Sequence, residues 1–282
     1  MISKKLFIFF TFWLLASNLI FAKQTKLQDI TVSDQKNVYT CIWDKTQRKF
    51  SLFLPEESPK GIFIMLHGAG QTIQGFKSLT KMEQSAVPAG YAVCYVSSGK
   101  DGVWNAGSKT SKKDDLGYIS ALARYFQNTY SLQKENTYLC GFSNGAFMTN
   151  YTALQKKSPF GTIIAVAGLA PLNEWNKSRE NTNCNLFLIY GTKDDLVLSK
   201  DGEKPNVQRA YPYIEDVVDF WITHHKLNLY SQGDFGNNTV LSKYENDSKK
   251  FWLMEIKNYP HQWPASRTTG FELSDVILDF VN

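Results

Sequence analysis

The sequence predicts an α/β protein with a mostly parallel, twisted central sheet and helices on both of its faces. Short, almost continuously apolar runs alternate with longer segments of helical spacing, which is typical of parallel strands buried on both faces. Several runs end directly in glycine and polar residues, where the functional sites of such sheets lie. The composition agrees, because 43% hydrophobic and 20% charged residues among 282 exclude a disordered chain and a polytopic membrane protein.

The predicted elements follow this alternation along the chain. Six apolar runs bounded by turn residues are predicted as strands: Ile62–Leu66, Tyr91–Val96, Thr137–Cys140, Thr162–Leu169, Leu186–Tyr190 and Phe251–Ile256. Four segments are predicted as helices: Leu116–Tyr130, Ala146–Lys156, Ile214–Leu227 and Glu272–Val281. About 260 residues remain once a leading segment is set aside, which is enough for an eight-stranded core in one domain.

The first 22 residues are predicted to be a signal peptide. Lys4 and Lys5 precede the apolar run Leu6–Ala16, and a polar break leads to a small residue at Ala22. The run is shorter than the roughly 20 residues of a spanning helix, and an uncleaved N-terminal anchor is the alternative. Cleavage lowers the formal net charge from +5 to +3, so we expect no nucleic-acid partner. We expect residues 23–282 to form a single secreted or periplasmic catalytic domain with no stable membrane insertion.

The four cysteines are too few for a disulfide-built scaffold, although an exported protein meets an oxidising compartment. Cys94 and Cys140 lie inside strand-like runs and are interpreted as core residues. Cys41 and Cys184 are the favoured pair if any disulfide exists. No cysteine–histidine cluster has the spacing of a zinc site, so no metal is expected.

Residues 141–145 are Gly-Phe-Ser-Asn-Gly and follow the predicted strand Thr137–Cys140. This G-x-S-x-G pattern is typical of a nucleophile elbow, a strained strand-to-helix turn that exposes a serine hydroxyl. Glycine at both ends avoids collisions with the helix and the neighbouring strands, and the helix N-terminus favours an anion beside the serine. The alternative is a glycine-bounded turn in another α/β fold. The strand before and the helix after favour Ser143 as the nucleophile.

An acyl-transfer serine requires backbone donors for the oxyanion that develops on its substrate. Asn144, directly after the serine, is predicted to supply one N–H group. The loop 67–71, which is His-Gly-Ala-Gly-Gln and follows Ile62–Leu66, is predicted to supply the other from Ala69. His67 precedes the serine in the chain, so it is interpreted as a structural residue that holds this loop and not as the base.

The acid and then the base are expected after the serine in the chain. Asp194 and Asp195 both follow a predicted strand; Asp194 has the better spacing from the turn, and Asp195 is its close competitor. His261 lies in the loop after the last predicted strand, whereas His224 and His225 fall within a predicted helix. His261 is therefore the predicted base, with Asp194 orienting it. This chemistry requires no metal or organic cofactor.

Together these segments resemble the α/β-hydrolase esterases that include polyhydroxybutyrate depolymerases, feruloyl esterases and acetyl xylan esterases. The matching motifs stand in the family's order over most of the mature chain: residues 66–71, 104–107, 114–118, 141–145, 191–194 and 261–264. The resemblance implies the α/β-hydrolase fold and a triad of Ser143, Asp194 and His261. The chain departs from the family at Tyr259 and Pro260, where glycines are frequent, which affects the expected shape of the cleft more than the triad.

Two loop tryptophans, Trp104 and Trp263, are expected at the edge of the active site, where their rings would stack on sugar or feruloyl groups. The alternative is that both anchor loops by packing. Asp114 and Asp115 are interpreted as caps of the helix that begins near Leu116.

The motifs predict a secreted serine esterase whose partner is a small-molecule or oligomeric ester. Feruloyl or acetyl carbohydrate esters and hydroxyalkanoate oligomers are the expected substrates, and no separate substrate-binding domain for insoluble polymer is evident. A lipase or a peptidase of the same fold is the alternative, although no long apolar lid insertion is present. A non-catalytic binding protein is the third hypothesis, and the complete set of serine, aspartate and histidine argues against it. The sequence does not predict the oligomeric state.

Overall fold

A computed structural model of the protein describes residues 26–108, 111–200 and 209–282. The expected signal peptide, residues 1–22, lies outside the described residues. The strands of the described part are β1 Gln28–Val32, β2 Val38–Trp43, β3 Thr46–Phe53, β4 Ile62–Leu66, β5 Ala92–Val96, β6 Thr137–Phe142, β7 Thr162–Val166, β8 Asn185–Gly191, β9 Asn228–Asp234, β10 Thr239–Glu245 and β11 Lys250–Ile256. Its helices are α1 Ile73–Thr80, α2 Met82–Ala86, α3 Asp115–Tyr130, α4 Asn144–Ala153, α5 Leu172–Ser178, α6 Ile214–His225, α7 Ser266–Thr269 and α8 Leu273–Val281.

All of these strands belong to one sheet, in the order β1-β2-β3-β5-β4-β6-β7-β8-β11-β10-β9. The six strands from β5 to β11 in that order are parallel to one another, and they are the six predicted from apolar runs. Antiparallel strands extend the sheet at both edges. The predicted fold class, a mostly parallel sheet with helices on both faces, is confirmed.

The sheet has eleven strands in the described part, five more than the six apolar runs predicted. The strands without a sequence prediction are β1, β2, β3, β9 and β10, the antiparallel ones. Their sequences mix polar and apolar residues because solvent reaches part of their surface, and β9 is exposed at all seven positions. A continuous apolar run therefore identified the parallel core only.

The core lies on both sides of this sheet, as the alternation of side chains along β4 illustrates. Ile62, Ile64 and Leu66 of that strand pack into one apolar cluster with residues of α3, α4 and α6. Phe63 and Met65 point to the opposite face and pack into a second cluster with residues of α1, α2 and α8. Burial on both faces explains why β4 has no polar side chain.

The predicted helices all form, with small changes at their ends. The buried face of α3 includes Ile119, Leu122 and Phe126, as its spacing predicted, and α6 ends where Lys226 adopts a left-handed conformation. Helix α4 begins at Asn144, two residues before the predicted start. Within the described residues, no helix has both the length and the apolarity to cross a membrane.

The four cysteines, all within the described part, are buried and free. A Cys41–Cys184 disulfide, the pair favoured if any existed, is therefore not formed. Cys41 lies in β2 and Cys184 directly precedes β8, so five other strands separate them in the sheet. Six steps of about 4.8 Å place them far beyond the reach of a disulfide. Cys94 and Cys140 are core residues, as predicted.

Candidate active site

Ser143 stands on the tight turn between β6 and α4, with φ 53° and ψ −119°. A non-glycine residue at this positive φ is strained, and the packing of the flanking glycines explains how the turn is held. A Cβ atom at Gly141 would lie 2.3 Å from the carbonyl oxygen of Gly145, and one at Gly145 would lie 2.1 Å from that of Leu66. The Ser143 amide donates to the carbonyl oxygen of Val166 at 2.9 Å, which joins the turn to β7.

A continuous chain of hydrogen bonds connects Ser143, His261 and Asp194. His261 Nε2 lies 2.8 Å from Ser143 Oγ, and His261 Nδ1 lies 2.8 Å and 3.0 Å from the two carboxylate oxygens of Asp194. Because Nδ1 faces a carboxylate, that nitrogen carries the proton and Nε2 is free to accept one from the serine. The structure thus brings together the three side chains that the sequence nominated as nucleophile, base and acid.

Asp194 is held rigidly beneath the histidine. Its side chain is fully buried, and its Oδ1 also accepts the amides of Leu196 and Val197 at 2.8 Å and 3.0 Å. These bonds stabilise a carboxylate away from water. Asp195, the competing candidate, is exposed. The His261 side chain is 20% exposed, so part of the imidazole remains accessible to solvent.

The acid and base loops pack directly against each other, since β8 and β11 are adjacent parallel strands. The Lys193 amide donates to the Tyr259 carbonyl oxygen at 3.0 Å, and a Cβ at Gly191 would lie only 2.1 Å from the same oxygen. The Tyr259 hydroxyl donates to the Trp263 carbonyl oxygen and accepts the Ala265 amide, both at 3.0 Å. Tyr259, which stands where the resemblance leads one to expect glycine, therefore fixes the loop that carries the histidine.

The backbone amides of Ala69 and Asn144 lie beside Ser143. Neither has a hydrogen-bond acceptor among the described residues. The amides on either side of Ala69 are both engaged: Gly68 donates to a side-chain amide oxygen, and Gly70 donates to a carbonyl oxygen of a neighbouring loop. A Cβ at Gly68 would lie 3.3 Å from Ser143 Cβ, so this loop abuts the serine. The two open amides are those predicted as oxyanion donors.

His67 holds this loop in place, as expected. The Ser98 amide donates to His67 Nε2 at 3.2 Å, so the other ring nitrogen, Nδ1, carries the proton and donates to the Gly68 carbonyl oxygen at 2.8 Å. Burial lowers the pKa of His67, since a charged imidazole would lose its hydration there. His67 is therefore a neutral structural residue.

The two tryptophans are buried and not exposed stacking platforms, although Trp104 still contributes to the lining of the neighbouring cleft. Trp104 is 2% exposed, and its indole nitrogen donates to the His67 carbonyl oxygen at 2.9 Å. Trp263 is 6% exposed and packs edge-on against Phe76 and Phe142. Both side chains anchor loops, because a large aromatic ring gains more by burial than by exposure at a rim.

A buried ion pair supports the loop that contains Trp104. Asp115 is fully buried and lies 2.9 Å from the guanidinium of Arg48, which is 4% exposed; the contact is an ion pair and not an aligned hydrogen bond. The second carboxylate oxygen accepts the Asn105 amide at 2.7 Å. The interpretation of Asp115 as a helix cap is therefore wrong. Asp114 alone caps α3, through a bond from the Gly117 amide at 3.1 Å.

A cleft of about 490 Å³ opens beside the serine turn. Asn144, Trp104 and Glu174 are among its lining residues. Phe147 and Tyr211 also line it, with their rings stacked at a centroid distance of 4.3 Å. Its size and apolar walls suit the part of a small ligand that adjoins a reacting ester. The sequence did not nominate Phe147, Tyr211 or Glu174, because they lie on segments that carry no motif.

Asp194, Asp195 and His261 are a group whose ligand atoms lie within 4.8 Å of one another, as a metal site requires. The Asp194 carboxylate already accepts the His261 Nδ1 proton and two backbone amides. A metal ion would have to break these bonds, so the donor set fits a metal poorly. Two of the three residues, Asp194 and His261, are therefore already engaged in the hydrogen bonds that lead to Ser143.

The other two late histidines lie on α6 and are engaged elsewhere. His225 Nε2 lies 3.2 Å from the Thr182 hydroxyl, and His224 Nδ1 lies 3.1 Å from a carboxylate oxygen of Glu180. Burial, with a smaller contribution from His224, lowers the pKa of His225 to about 4. Neither imidazole is bonded to Ser143, in agreement with the prediction that His261 and not these residues is the base.

Comparison with known proteins places the chain beside esterases. The family profile described as phospholipase/carboxylesterase matches residues 48–217. Acetylxylan esterase A of Emericella nidulans is 28% identical over 127 residues, which cover 43% of this chain and 42% of that protein. The match thus spans less than half the length of this relative.

Solved structures share the fold at low sequence identity. Acetyl xylan esterase from Aspergillus awamori superposes with a TM-score of 0.60 at 14% identity, over 83% of this chain and 93% of that one. S-formylglutathione hydrolase from Staphylococcus aureus gives a TM-score of 0.53 at 14% identity, over 84% and 94%. Acylaminoacyl peptidase from Pyrococcus horikoshii gives 0.57 at 13% identity, over 93% and 42%. These similarities establish the architecture of the chain.

Proposed function

Because the chain belongs to the phospholipase/carboxylesterase family of α/β-hydrolases, we propose that it is a serine esterase that hydrolyses carboxylic esters through Ser143, His261 and Asp194. The observation that carries the proposal is the chain of hydrogen bonds from Ser143 Oγ through the imidazole to the buried carboxylate, with 2.8 Å at each step. A serine hydroxyl is a weak nucleophile unless an adjacent base removes its proton.

In the first half of the reaction, the Ser143 oxygen attacks the ester carbonyl carbon while His261 Nε2 takes the hydroxyl proton. The carbonyl π electrons move to the oxygen, which becomes an oxyanion. Asp194 stays ionised, keeps the imidazole in the required orientation and stabilises its charged form. The amides of Ala69 and Asn144, which have no other acceptor among the described residues, donate to the oxyanion.

Collapse of the tetrahedral intermediate breaks the bond to the alcohol oxygen. His261 gives its proton to that oxygen, the alcohol leaves, and the acyl group remains on Ser143. Water then enters, loses a proton to His261 and attacks the acyl carbon. The serine leaves with the proton from His261, which restores the enzyme and releases the carboxylic acid.

The substrate class we propose is a carboxylic ester of moderate size, either an acetyl or feruloyl ester of a carbohydrate or a hydroxyalkanoate oligomer. The partial match to an acetylxylan esterase supports the acetyl ester most strongly. The volume of the cleft, about 490 Å³, supports a small or oligomeric ligand over a polymer surface. We also propose that residues 23–282 act as one catalytic domain after export.

Turnover of p-nitrophenyl acetate, compared between the wild-type protein and Ser143→Ala, tests this function. A panel of p-nitrophenyl butyrate, methyl ferulate, acetylated xylan and hydroxybutyrate oligomers then ranks the substrates. We expect short esters to be hydrolysed by the wild-type protein and not by the variant. Equal turnover by both proteins would reject Ser143 as the nucleophile. No turnover of any ester by the wild-type protein would reject the proposed esterase function.

A further inference from the structure

The described lining of the cleft beside Ser143 includes a negatively charged side chain. Glu174, in the first turn of α5, is the charged residue of its described lining, which otherwise consists of apolar and uncharged polar residues. No lysine, arginine or histidine is among those lining residues. A carboxylate beside apolar walls, with no cation among the described lining residues, makes the local potential more negative.

The Glu174 carboxylate is half-buried and has no assigned partner. Among the described residues, no hydrogen bond and no ion pair engages it. An ionised carboxylate is an acceptor only, and its partial burial makes an unanswered charge costly. The buried carboxylate of Asp115, by contrast, contacts the guanidinium of Arg48. The geometry leaves Glu174 available to a ligand.

The Glu174 side chain lies beside Gly107 and the Tyr151 ring. A Cβ at Gly107 would lie 3.2 Å from Glu174 Cγ and 3.1 Å from the Tyr151 ring. Burial raises the pKa of Tyr151, and the charges of Glu174 and Asp114 raise it further. The Glu174 carboxylate therefore lies beside Gly107 of the cleft lining, and its negative charge raises the pKa of a neighbouring group.

We propose that Glu174 determines the charge specificity of the esterase reaction. It favours substrates whose group in the cleft donates hydrogen bonds, a hydroxyl or an ammonium, and it disfavours substrates that carry a carboxylate there. This inference rests on the proposed function, since it concerns the same site. The physical reason is that like charges repel strongly where apolar walls reduce the dielectric screening.

Two pairs of esters separate the effect of charge from that of shape. One pair places the charge on the acyl side: the anionic ester is the mono-p-nitrophenyl ester of adipic acid, and the neutral ester is p-nitrophenyl hexanoate. The other pair places the charge on the leaving alcohol: the anionic ester is 4-acetoxybenzoate, and the neutral ester is methyl 4-acetoxybenzoate. The measurement is the ratio of kcat/KM for the anionic ester to that for the neutral ester, because differences in intrinsic reactivity cancel when this ratio is compared between proteins.

Glu174→Gln keeps the shape of the side chain and removes its charge. We expect it to raise the anionic-to-neutral ratio about tenfold in at least one pair at low salt, and Glu174→Lys to raise it further. The neutral ester of each pair is the reference within each protein, and added salt is expected to reduce the difference between proteins. Glu135→Gln is the matched control, since Glu135 precedes β6 whereas Ser143 follows it, at the far end of that strand.

The outcomes are distinguishable. A raised ratio in Glu174→Gln but not in Glu135→Gln supports the proposal. Unchanged ratios in both pairs, with neutral esters still hydrolysed, overturn it and leave the esterase intact. An equal rise in the control variant also overturns it, because the effect would then come from net charge. Failure of the wild-type protein to hydrolyse the neutral esters rejects the proposed function and the charge specificity with it.

Discussion

Asn144 and the backbone of Trp104 are joined by two hydrogen bonds. The Trp104 amide donates to Asn144 Oδ1 at 2.6 Å, and Asn144 Nδ2 donates to the Trp104 carbonyl oxygen at 3.3 Å. Since the Trp104 indole also donates to the His67 carbonyl oxygen, one loop connects the residue after the nucleophile to the loop that carries Ala69. The two open amides beside Ser143 are thus held by a shared support.

Asn144→Ala removes this support but keeps the Asn144 backbone amide. We expect kcat/KM for p-nitrophenyl acetate to fall about tenfold, because two bonds that position the oxyanion donors are lost. Lys156→Ala, at an exposed position beyond the end of α4, is the control and is expected to leave the rate unchanged. An unaltered rate in Asn144→Ala would show that the loops keep their geometry without it.

Asp194→Asn is expected to lower kcat on the order of a thousandfold. An amide in that place no longer selects the imidazole tautomer with the proton on Nδ1, and it does not stabilise the charged ring. Asp195→Asn is the neighbouring control, and its exposed side chain should change kcat less than about twofold. A large loss of kcat in Asp195→Asn together with a small one in Asp194→Asn, measured on the same ester, would assign the acid to Asp195.

Asp115→Asn is expected to reduce the free energy of unfolding by about 3 kcal/mol. Removing one charge leaves the guanidinium of Arg48 buried without its partner, which costs more than the pair contributes. Urea titration measures the change, and the double variant Arg48→Met with Asp115→Leu should recover part of it. Asp101→Asn, which removes the exposed ion pair with Lys113, should lie within about 0.5 kcal/mol of wild type. A similar loss in Asp101→Asn would contradict the account.

The low pKa of His225 predicts a pH dependence of stability. In the folded state burial holds the pKa at about 4, below the ordinary value of 6.5, so the unfolded chain binds the proton more tightly. The contribution to stability is complete above about pH 6.5 and is lost as the pH falls towards 4. With allowance for solvent screening, we expect the wild-type protein to lose about 1 kcal/mol more than His225→Gln between pH 7.5 and pH 5. Parallel pH profiles of the two proteins would reject the burial of a neutral imidazole.

Four free thiols are expected in the folded protein, each unreactive until it unfolds. Burial raises the pKa of Cys184 to about 12 and also raises that of Cys41, so little thiolate forms near neutral pH. Titration with a thiol reagent should find few reactive groups before denaturation and four afterwards, with no change in Tm on adding a reductant. Fewer than four thiols in denatured, unreduced protein would indicate a disulfide.

The sequence predicted the parts of the molecule that carry strong local signals. The six parallel strands have continuous apolar runs, and Ser143 has glycines that its strained turn requires. The antiparallel edge strands have no such signal, because their polar faces meet solvent. The partner of Asp115 could not be predicted, since Arg48 lies far away in the chain and reaches it only across the folded sheet. The burial of Trp104 depends in the same way on a loop contact with His67.

The reaction of the protein with a serine-directed organophosphonate, followed by peptide mass spectrometry, tests the proposed catalytic role of Ser143 most directly. The 2.8 Å contact with His261 Nε2 predicts one adduct per chain, on the peptide that contains Ser143, and a large loss of labelling rate in His261→Ala. A folded protein that forms no adduct, or one that is labelled at another serine, would contradict the account.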